Sequence, residues 1–275
     1  MNLSVFGLGY VGCVSAACFA KLGHTVIGVD VNPEKVKLIN AGKSTVLEER
    51  IAEMVQEVVA SGSLRATTSA QEAVQQSEIS LICVGTPSCE NGSLNLDYIR
   101  SCAQSVAEAI AGKAEYHVVV IRSTMLPGSI RSTVVPILEE YSGKKASQDF
   151  GVCMNPEFLR EGSSVRDFHN PPYSVIGADD DRAAEKLEDL YVPIGAPIVR
   201  ISVETAEMIK YASNSFHAVK ICFANEMGRL CKAAGVDSHQ LMELFCLDDK
   251  LNISRAYLKP GFAFGGSCLP KDIRA

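Results

Sequence analysis

Three short stretches of this chain carry side chains whose types and spacing suit covalent or acid–base chemistry. In Gly261-Phe262-Ala263-Phe264-Gly265-Gly266-Ser267-Cys268-Leu269-Pro270-Lys271-Asp272, a thiol stands beside a cation and a carboxylate. A nearby cation lowers a cysteine's pKa and raises its thiolate fraction. The glycines let a ligand approach the backbone and present amide N–H groups to an anion. An inert loop thiol is the plain alternative. On a helical stretch, Lys210, Asn214, His217 and Asn225 follow at steps of four, three and eight, which brings them to one face. A solvated polar stripe would show the same spacing. Asn155-Pro156-Glu157-Phe158-Leu159-Arg160-Glu161 follows an apolar strand and sets two carboxylates four residues apart. It could equally be a capped turn.

Those groups need a scaffold, and the N-terminus supplies a recognisable one. Gly7-Leu8-Gly9-Tyr10-Val11-Gly12 follows an apolar strand and opens a helix. In this pattern Gly7 permits the tight turn, Gly9 lets the backbone approach a pyrophosphate, and Gly12 lets helix pack on strand. The helix start offers free N–H groups and a partial positive charge to phosphates. Asp30 ends the second strand, where a carboxylate accepts hydrogen bonds from a ribose 2′-OH and repels a 2′-phosphate. NAD is therefore expected over NADP. Gly85-Thr86-Pro87 and Ser123-Thr124 close two further strands at the edge where open α/β sheets bind ligands. A glycine-rich turn in an unrelated α/β protein is the competing reading.

Strands are expected at 3–6, 25–29, 64–67, 79–84, 117–121, 150–154, 173–176 and 198–201, with helices between most of them, beginning at 11–22. Asn32-Pro33 reads as an N-cap followed by Pro at the first helical position. This alternation predicts an α/β fold, a Rossmann-type doubly wound parallel sheet. From Val203 to about Ala234 the only Gly is Gly228 and Pro is absent, and Gly235 follows as a C-cap. That predicts a helix of about 30 residues and ~45 Å, long enough to link domains or build a homodimer. A short helix over 238–246, capped by Asp237, comes next. The division expected is a NAD-binding domain over 1–201 and a helical dimerisation and substrate segment over 202–275.

Composition narrows the classes. The net charge of −6, without any Lys/Arg-rich run, gives no footprint for nucleic acid. Residues 1–20 carry no side-chain charge, yet they lack a basic leader and are broken by three glycines, so a buried strand and helix explain them better than a signal or a membrane span. None of the ten cysteines forms a CxxC pair, and most sit in apolar runs. Free, buried thiols of a cytoplasmic protein are expected for about nine in ten of them, with no metal site.

Taken together these segments resemble the UDP-glucose/GDP-mannose dehydrogenase family, from Met1 to Ala275. The phrase Phe-Ala-Phe-Gly-Gly-Ser-Cys-Leu-Pro-Lys-Asp, with Lys250-Leu251-Asn252-Ile253-Ser254 upstream, is nearest to the members acting on GDP-mannose. The resemblance implies NAD-dependent, four-electron oxidation of a nucleotide sugar's C6 alcohol to the carboxylate, with UDP-glucose as the alternative substrate. It assigns Cys268 as the nucleophile, giving first a hemithioacetal and then a thioester. Lys210 and Asn214 would stabilise the oxyanion at C6. Glu161 would serve as base for the hydrolytic water, with Thr124 and Asp272 orienting water and proton transfers. Tyr10, Val11, Lys35, Thr86, Thr124 and Lys271 join Asp30 and the glycines around NAD. Leu159, Arg160, Glu161, Lys210, Asn214, His217, Asn225, Tyr257, Lys259 and Phe262 would meet the nucleotide sugar.

Two departures stand out. Members acting on GDP-mannose carry a phrase like Tyr-Tyr-Met-Arg where this chain has Ala256-Tyr257-Leu258-Lys259, which exchanges a guanidinium fork for a point charge. The family continues into a C-terminal α/β domain, which is expected to be absent here because the sequence stops at Ala275. A catalytically silent NAD-binding or dimerisation fragment is the non-enzymatic alternative. β-Hydroxyacid dehydrogenases also place a Lys-x-x-x-Asn pair after a Rossmann domain, without needing the cysteine.

Overall fold

The computed structural model describes residues 1–258, 260 and 261. Two compact units are present, Met1–Ser213 and Asn214–Ala275.

The first unit is built on one eight-stranded sheet of order 3-2-1-4-5-6-7-8. Its first half comprises β1 (Asn2–Phe6), α1 (Tyr10–Lys21), β2 (Thr25–Val29), α2 (Pro33–Asn40), α3 (Ile51–Ala60), β3 (Leu64–Thr67), α4 (Ala70–Gln75) and β4 (Ile79–Ile82). The reversal of order at β1 and β4 opens a crevice at the carboxyl ends of the strands, the topological switch point where such sheets take ligands. α5 (Asp97–Ala111) leads to β5 (His117–Ile121), and α6 (Val135–Ser142) to β6 (Phe150–Met154). β4 and β5 are buried at every residue, as strands covered by helices on both faces must be.

The strand boundaries follow expectation closely, but the sheet is not wholly parallel. After α7 (Ser164–His169), β7 (Ser174–Ala178) runs antiparallel to β6, pairing Cys153 with Ala178 and Met154 with Gly177. α7 packs its Phe168 on Phe19 of α1, and the chain re-enters the sheet from the end at which it left β6, so β7 runs back along that strand. α8 (Asp181–Tyr191) then carries the chain back across the sheet, and β8 (Ile198–Ile201) is parallel to β7. Phe19 of α1 meets Phe168 and Tyr191 edge-on at 4.9 and 5.6 Å, which locks α7 and α8 over the same sheet face.

α9 (Val203–Ala234) is the long helix expected, and the boundary between the two units falls inside it. In the second unit Gly235 takes φ +71° at its end, and the Val236 N–H donates back to the Cys231 carbonyl at 2.9 Å. α10 (Ser238–Cys246) starts on Asp237, whose carboxylate accepts from the His239 and Gln240 amides. The Phe223 and Phe245 rings meet at 5.4 Å, tilted by 42°.

The described cysteines are all free. The expectation that nearly all would be buried needs correction, because Cys89, Cys222 and Cys246 are exposed. Among the described residues no helix is long and apolar enough to cross a membrane, and no cluster of His, Cys, Asp and Glu could hold a metal.

Candidate functional site

The glycine turn has the steric logic of a ligand cradle. Gly7 has φ +90°, and a Cβ on Gly12 would lie 1.7 Å from the Gly7 carbonyl oxygen, so the helix can rest on the turn only without a side chain there. A Cβ on Gly9 would meet no protein atom within 4 Å. Packing thus explains Gly12, while Gly9 leaves open space over the start of α1, whose N-cap has no side-chain bond to its free amides. These features fit a dinucleotide pyrophosphate.

Asp30 lies beside the turn, only 8% exposed. Its Oδ2 accepts from the Leu8 amide at 2.8 Å and from Lys35 Nζ at 3.1 Å, and its Oδ1 accepts from the Asn32 amide at 2.9 Å. The carboxylate is therefore fixed in position, and Asn32 goes on to cap α2 through the Glu34 amide. The structure brings Asp30 and Lys35 together beside the glycine turn.

A cleft of about 250 Å³ runs from this turn along the strand ends. Tyr10, Val11, Gly85, Thr86, Arg122, Thr124 and Glu157 line it. Thr86 Oγ1 donates to the Thr124 carbonyl at 2.9 Å, which ties the two polar strand ends to each other. Burial pushes the Cys83 thiol, also in the cleft wall, up to about 12, so it stays protonated and unreactive. Arg122 is buried, and its guanidinium donates to Asn155 Oδ1 and to the Tyr191 hydroxyl.

Lys210 reaches this region from α9. Its Nζ donates to Glu157 Oε1 at 2.8 Å and to the Glu157 carbonyl at 2.7 Å, with both side chains about one-tenth exposed. Glu157 Oε2 also accepts from the Leu159 amide at 2.7 Å. One turn earlier on α9, buried Glu207 accepts from the Gly128 and Ile130 amides, which fixes the turn after Thr124. Burial raises the Glu207 carboxyl above its ordinary value despite those two donors.

The structure separates the two carboxylates of the 155–161 stretch. Glu157 lines the cleft and holds Lys210, whereas Glu161 is exposed. Glu157 had been only half of a spaced pair in the sequence. Its partner lies 53 residues away, and no local pattern points to it. The side chain of Arg160 is two-thirds exposed and forks onto Asp167, Nε at 3.0 Å and Nη2 at 2.7 Å. Leu159 is half-buried. Asn214, His217, Asn225 and Tyr257 belong to the second unit, where all four are exposed. Lys259, Phe262, Cys268, Lys271 and Asp272 lie outside the described residues.

Comparison with known proteins adds the following. Residues 1–195 match the model of the UDP-glucose/GDP-mannose dehydrogenase family, NAD binding domain, and residues 204–275 match the central domain of the same family. A GDP-mannose 6-dehydrogenase from Azotobacter vinelandii is 52% identical over 275 residues, covering 100% of this chain and 63% of that protein. A UDP-glucose 6-dehydrogenase from Haloferax volcanii is 41% identical, covering 100% and 64%. The crystal structure of a ternary complex of GDP-mannose dehydrogenase from Pseudomonas aeruginosa superposes with a TM-score of 0.98 at 51% identity, covering 100% of this chain and 63% of that one. The chain thus spans under two thirds of the length of these relatives.

Proposed function

The chain belongs to the UDP-glucose/GDP-mannose dehydrogenase family and carries its NAD binding domain, and from that premise we propose that it oxidises the C6 alcohol of a nucleotide sugar, GDP-mannose, to the carboxylate. The observation that carries this reading is Lys210, a cation held by Glu157, which lines the same cleft as the first residues of α1 and the polar strand ends. A fixed positive charge there lowers the energy of an alkoxide developing at a bound alcohol carbon. The preference for GDP-mannose over UDP-glucose rests on the Azotobacter vinelandii relative, named for the former, being more similar than the Haloferax volcanii relative, named for the latter.

NAD⁺, when bound at Asp30, Lys35, the 7–12 turn, Thr86 and Thr124, supplies the hydride acceptor for each of two successive oxidations at C6. The protein's own part begins with Lys210 and Asn214, which stabilise the oxygen at C6 as its proton departs. The Cys268 thiolate then adds to the aldehyde carbon, converting a poor hydride donor into a tetrahedral one. Loss of the second hydride leaves a thioester. Water activated by Glu161 cleaves the carbon–sulfur bond, releasing the carboxylate and restoring the thiol. Lys271 contributes on the cofactor side, and Thr124 and Asp272 direct water and protons. Arg160, Leu159, His217, Asn225, Tyr257, Lys259 and Phe262 hold the nucleotide sugar. A homodimer formed through α9 is part of the same proposal.

The decisive experiment counts NADH formed per GDP-mannose and per UDP-glucose consumed. Two NADH per sugar with a carboxylate product, and no net acid from Cys268→Ala, support the proposal. One NADH per substrate, with Cys268→Ala unaffected, would favour a single hydride transfer of the β-hydroxyacid dehydrogenase kind. NAD binding without turnover of either sugar would favour a silent binding module.

A further inference from the structure

The segment 43–50, between α2 and α3, has no part in the site described above, yet its side chains reach across it in two directions. Thr45 Oγ1 donates to the Leu8 carbonyl of the glycine turn at 2.8 Å, and Ser44 Oγ lies 3.6 Å from Cys13 Sγ on α1. Glu48 reaches the opposite way, to partners 114 and 116 residues later in the chain. It accepts through Oε1 from the Gly162 amide and through Oε2 from the Ser164 amide at 3.0 Å and the Ser164 hydroxyl at 2.6 Å. Burial would raise the Glu48 carboxyl, but the Ser164 and Gly162 donors together hold it below its ordinary value, so it is ionised and accepts through both oxygens.

Gly162 and Ser164 close the loop that begins at Asn155, and residues 156–160 lie in neither helix nor strand. The loop is held by Lys210 at Glu157, by Asp167 at Arg160 and Ser163, and by Glu48 at its last residues. Of these only Glu48 stands on a segment that is also bonded to the cofactor turn. The Tyr10 hydroxyl, at the first residue of α1, is buried beside Glu48 and Ser164. Burial, with the Glu48 and Glu161 carboxylates adding to it, pushes that hydroxyl up to about 12.

We propose that Glu48 is a positioning residue that registers the 157–164 loop against the glycine turn, so that substrate and cofactor are presented to each other in a fixed geometry. The proposal rests on the reading that this loop takes the nucleotide sugar. The chemistry is specific to a carboxylate. Glutamine has the same shape but offers one acceptor oxygen, and its NH₂ would face an N–H donor where the second oxygen had accepted.

Hydrogen exchange read by mass spectrometry on the full chain, alongside Glu48→Gln and Ser164→Ala, tests this. In Glu48→Gln the amides of 158–166 should exchange about tenfold faster, while those of β5 stay unchanged. KM for GDP-mannose should rise about fivefold, with the NAD dissociation constant within about twofold, because the loop and not the cofactor turn is released. Ser164→Ala, which removes one donor and leaves the carboxylate, should shift the same amides by less, and the double variant should match Glu48→Gln alone. Unchanged exchange over 158–166 in both variants would overturn the proposal. So would an NAD affinity that falls in step with that for the sugar. Should Glu48→Gln loosen β5 as well, Ser164→Ala decides: local loosening supports the role, none removes it. If the unsubstituted chain turns over neither GDP-mannose nor UDP-glucose, the nucleotide-sugar reading fails, and the exchange rates still settle what Glu48 does.

Discussion

Lys210 and Glu157 form a nearly dry ion pair, with Nζ 2.8 Å from Oε1 and 2.7 Å from the same residue's carbonyl oxygen. The pair joins the start of α9 to the loop after β6, and it sets the Lys210 charge beside the cleft-lining Glu157. Removing one partner strands the other charge out of water. Glu157→Ala is therefore expected to lower the unfolding free energy by about 3 kcal/mol in urea titration. Replacing both, Lys210→Met with Glu157→Ala, should recover part of that loss, because no lone charge remains. Strict additivity of the two substitutions would show that the pair is not coupled.

Much of this arrangement was legible in the sequence, and the parts that were not share a cause. The runs His117–Ile121 and Phe150–Met154 declare buried strands through residue type alone, and Asn32-Pro33 and Asp237 declare helix starts through local capping chemistry. The glycine turn and Asp30 were legible because their spacing reflects one βαβ unit. The antiparallel entry of β7 was not, since it depends on where a six-residue helix packs. Glu157 and Glu48 were not either. Their partners lie 53 and more than a hundred residues away, and Leu47-Glu48-Glu49-Arg50 reads locally as a solvated charged turn.

The two glycines of the turn should separate binding from folding. Gly9 has φ −80°, which alanine adopts freely, and its Cβ would meet nothing in the protein. Gly9→Ala should leave the urea midpoint within experimental error while weakening NAD about tenfold, roughly 1.4 kcal/mol. Gly12→Ala drives a methyl to 1.7 Å from the Gly7 carbonyl and should cost about 2 kcal/mol or more of stability as well. Equal NAD affinity in Gly9→Ala and the unsubstituted chain would remove the pyrophosphate from this turn.

Asp30 carries two duties, and a conservative substitution should split them. Its Oδ2 accepts from the Leu8 amide and from Lys35, so Asp30→Ala should disturb the turn and weaken NAD together. Asp30→Asn keeps an acceptor for Leu8 but loses the charge facing Lys35. NAD binding should fall about tenfold while discrimination against NADP shrinks, since the carboxylate no longer repels a 2′-phosphate. Isothermal titration with both cofactors checks this, and an unchanged NAD/NADP ratio would count against the ribose assignment.

Buried and exposed thiols should be distinguishable by rate. Burial pushes the thiols of Cys18, Cys83 and Cys153 up to about 12 each, leaving almost no thiolate at neutral pH. Cys89 is exposed. Iodoacetamide at pH 7.5 should label Cys89 on native protein, with the three buried cysteines labelled only after denaturation. Labelling of Cys83 in the native state would mean that the cleft wall opens.

A buried polar chain at the opposite end of the sheet gives the last prediction. Lys113 Nζ donates to the Val74 and Ser77 carbonyls and to His117 Nδ1 at 3.2 Å, so His117 must carry its proton on Nε2, which donates to Ser80 Oγ at 2.7 Å. Ser80 and Ser77 both meet Ser4 Oγ. Burial, followed by the charge of Lys113 and then of Lys186 and Lys144, pushes His117 down to about 3. In the unfolded chain the imidazole takes up its proton near pH 6.5. Between those values the unfolded state holds the additional proton, so this contribution is complete above about pH 6.5 and is lost as pH falls towards 3, by at most about 1.4 kcal/mol per pH unit. His117→Asn cannot titrate. Relative to that variant, the urea midpoint of the unsubstituted chain should fall progressively from pH 7 through 5.5 to 4.5, with carboxylate effects common to both cancelling. A constant difference across that range would mean that His117 is not neutral in the folded protein, or that its burial is relieved before it charges.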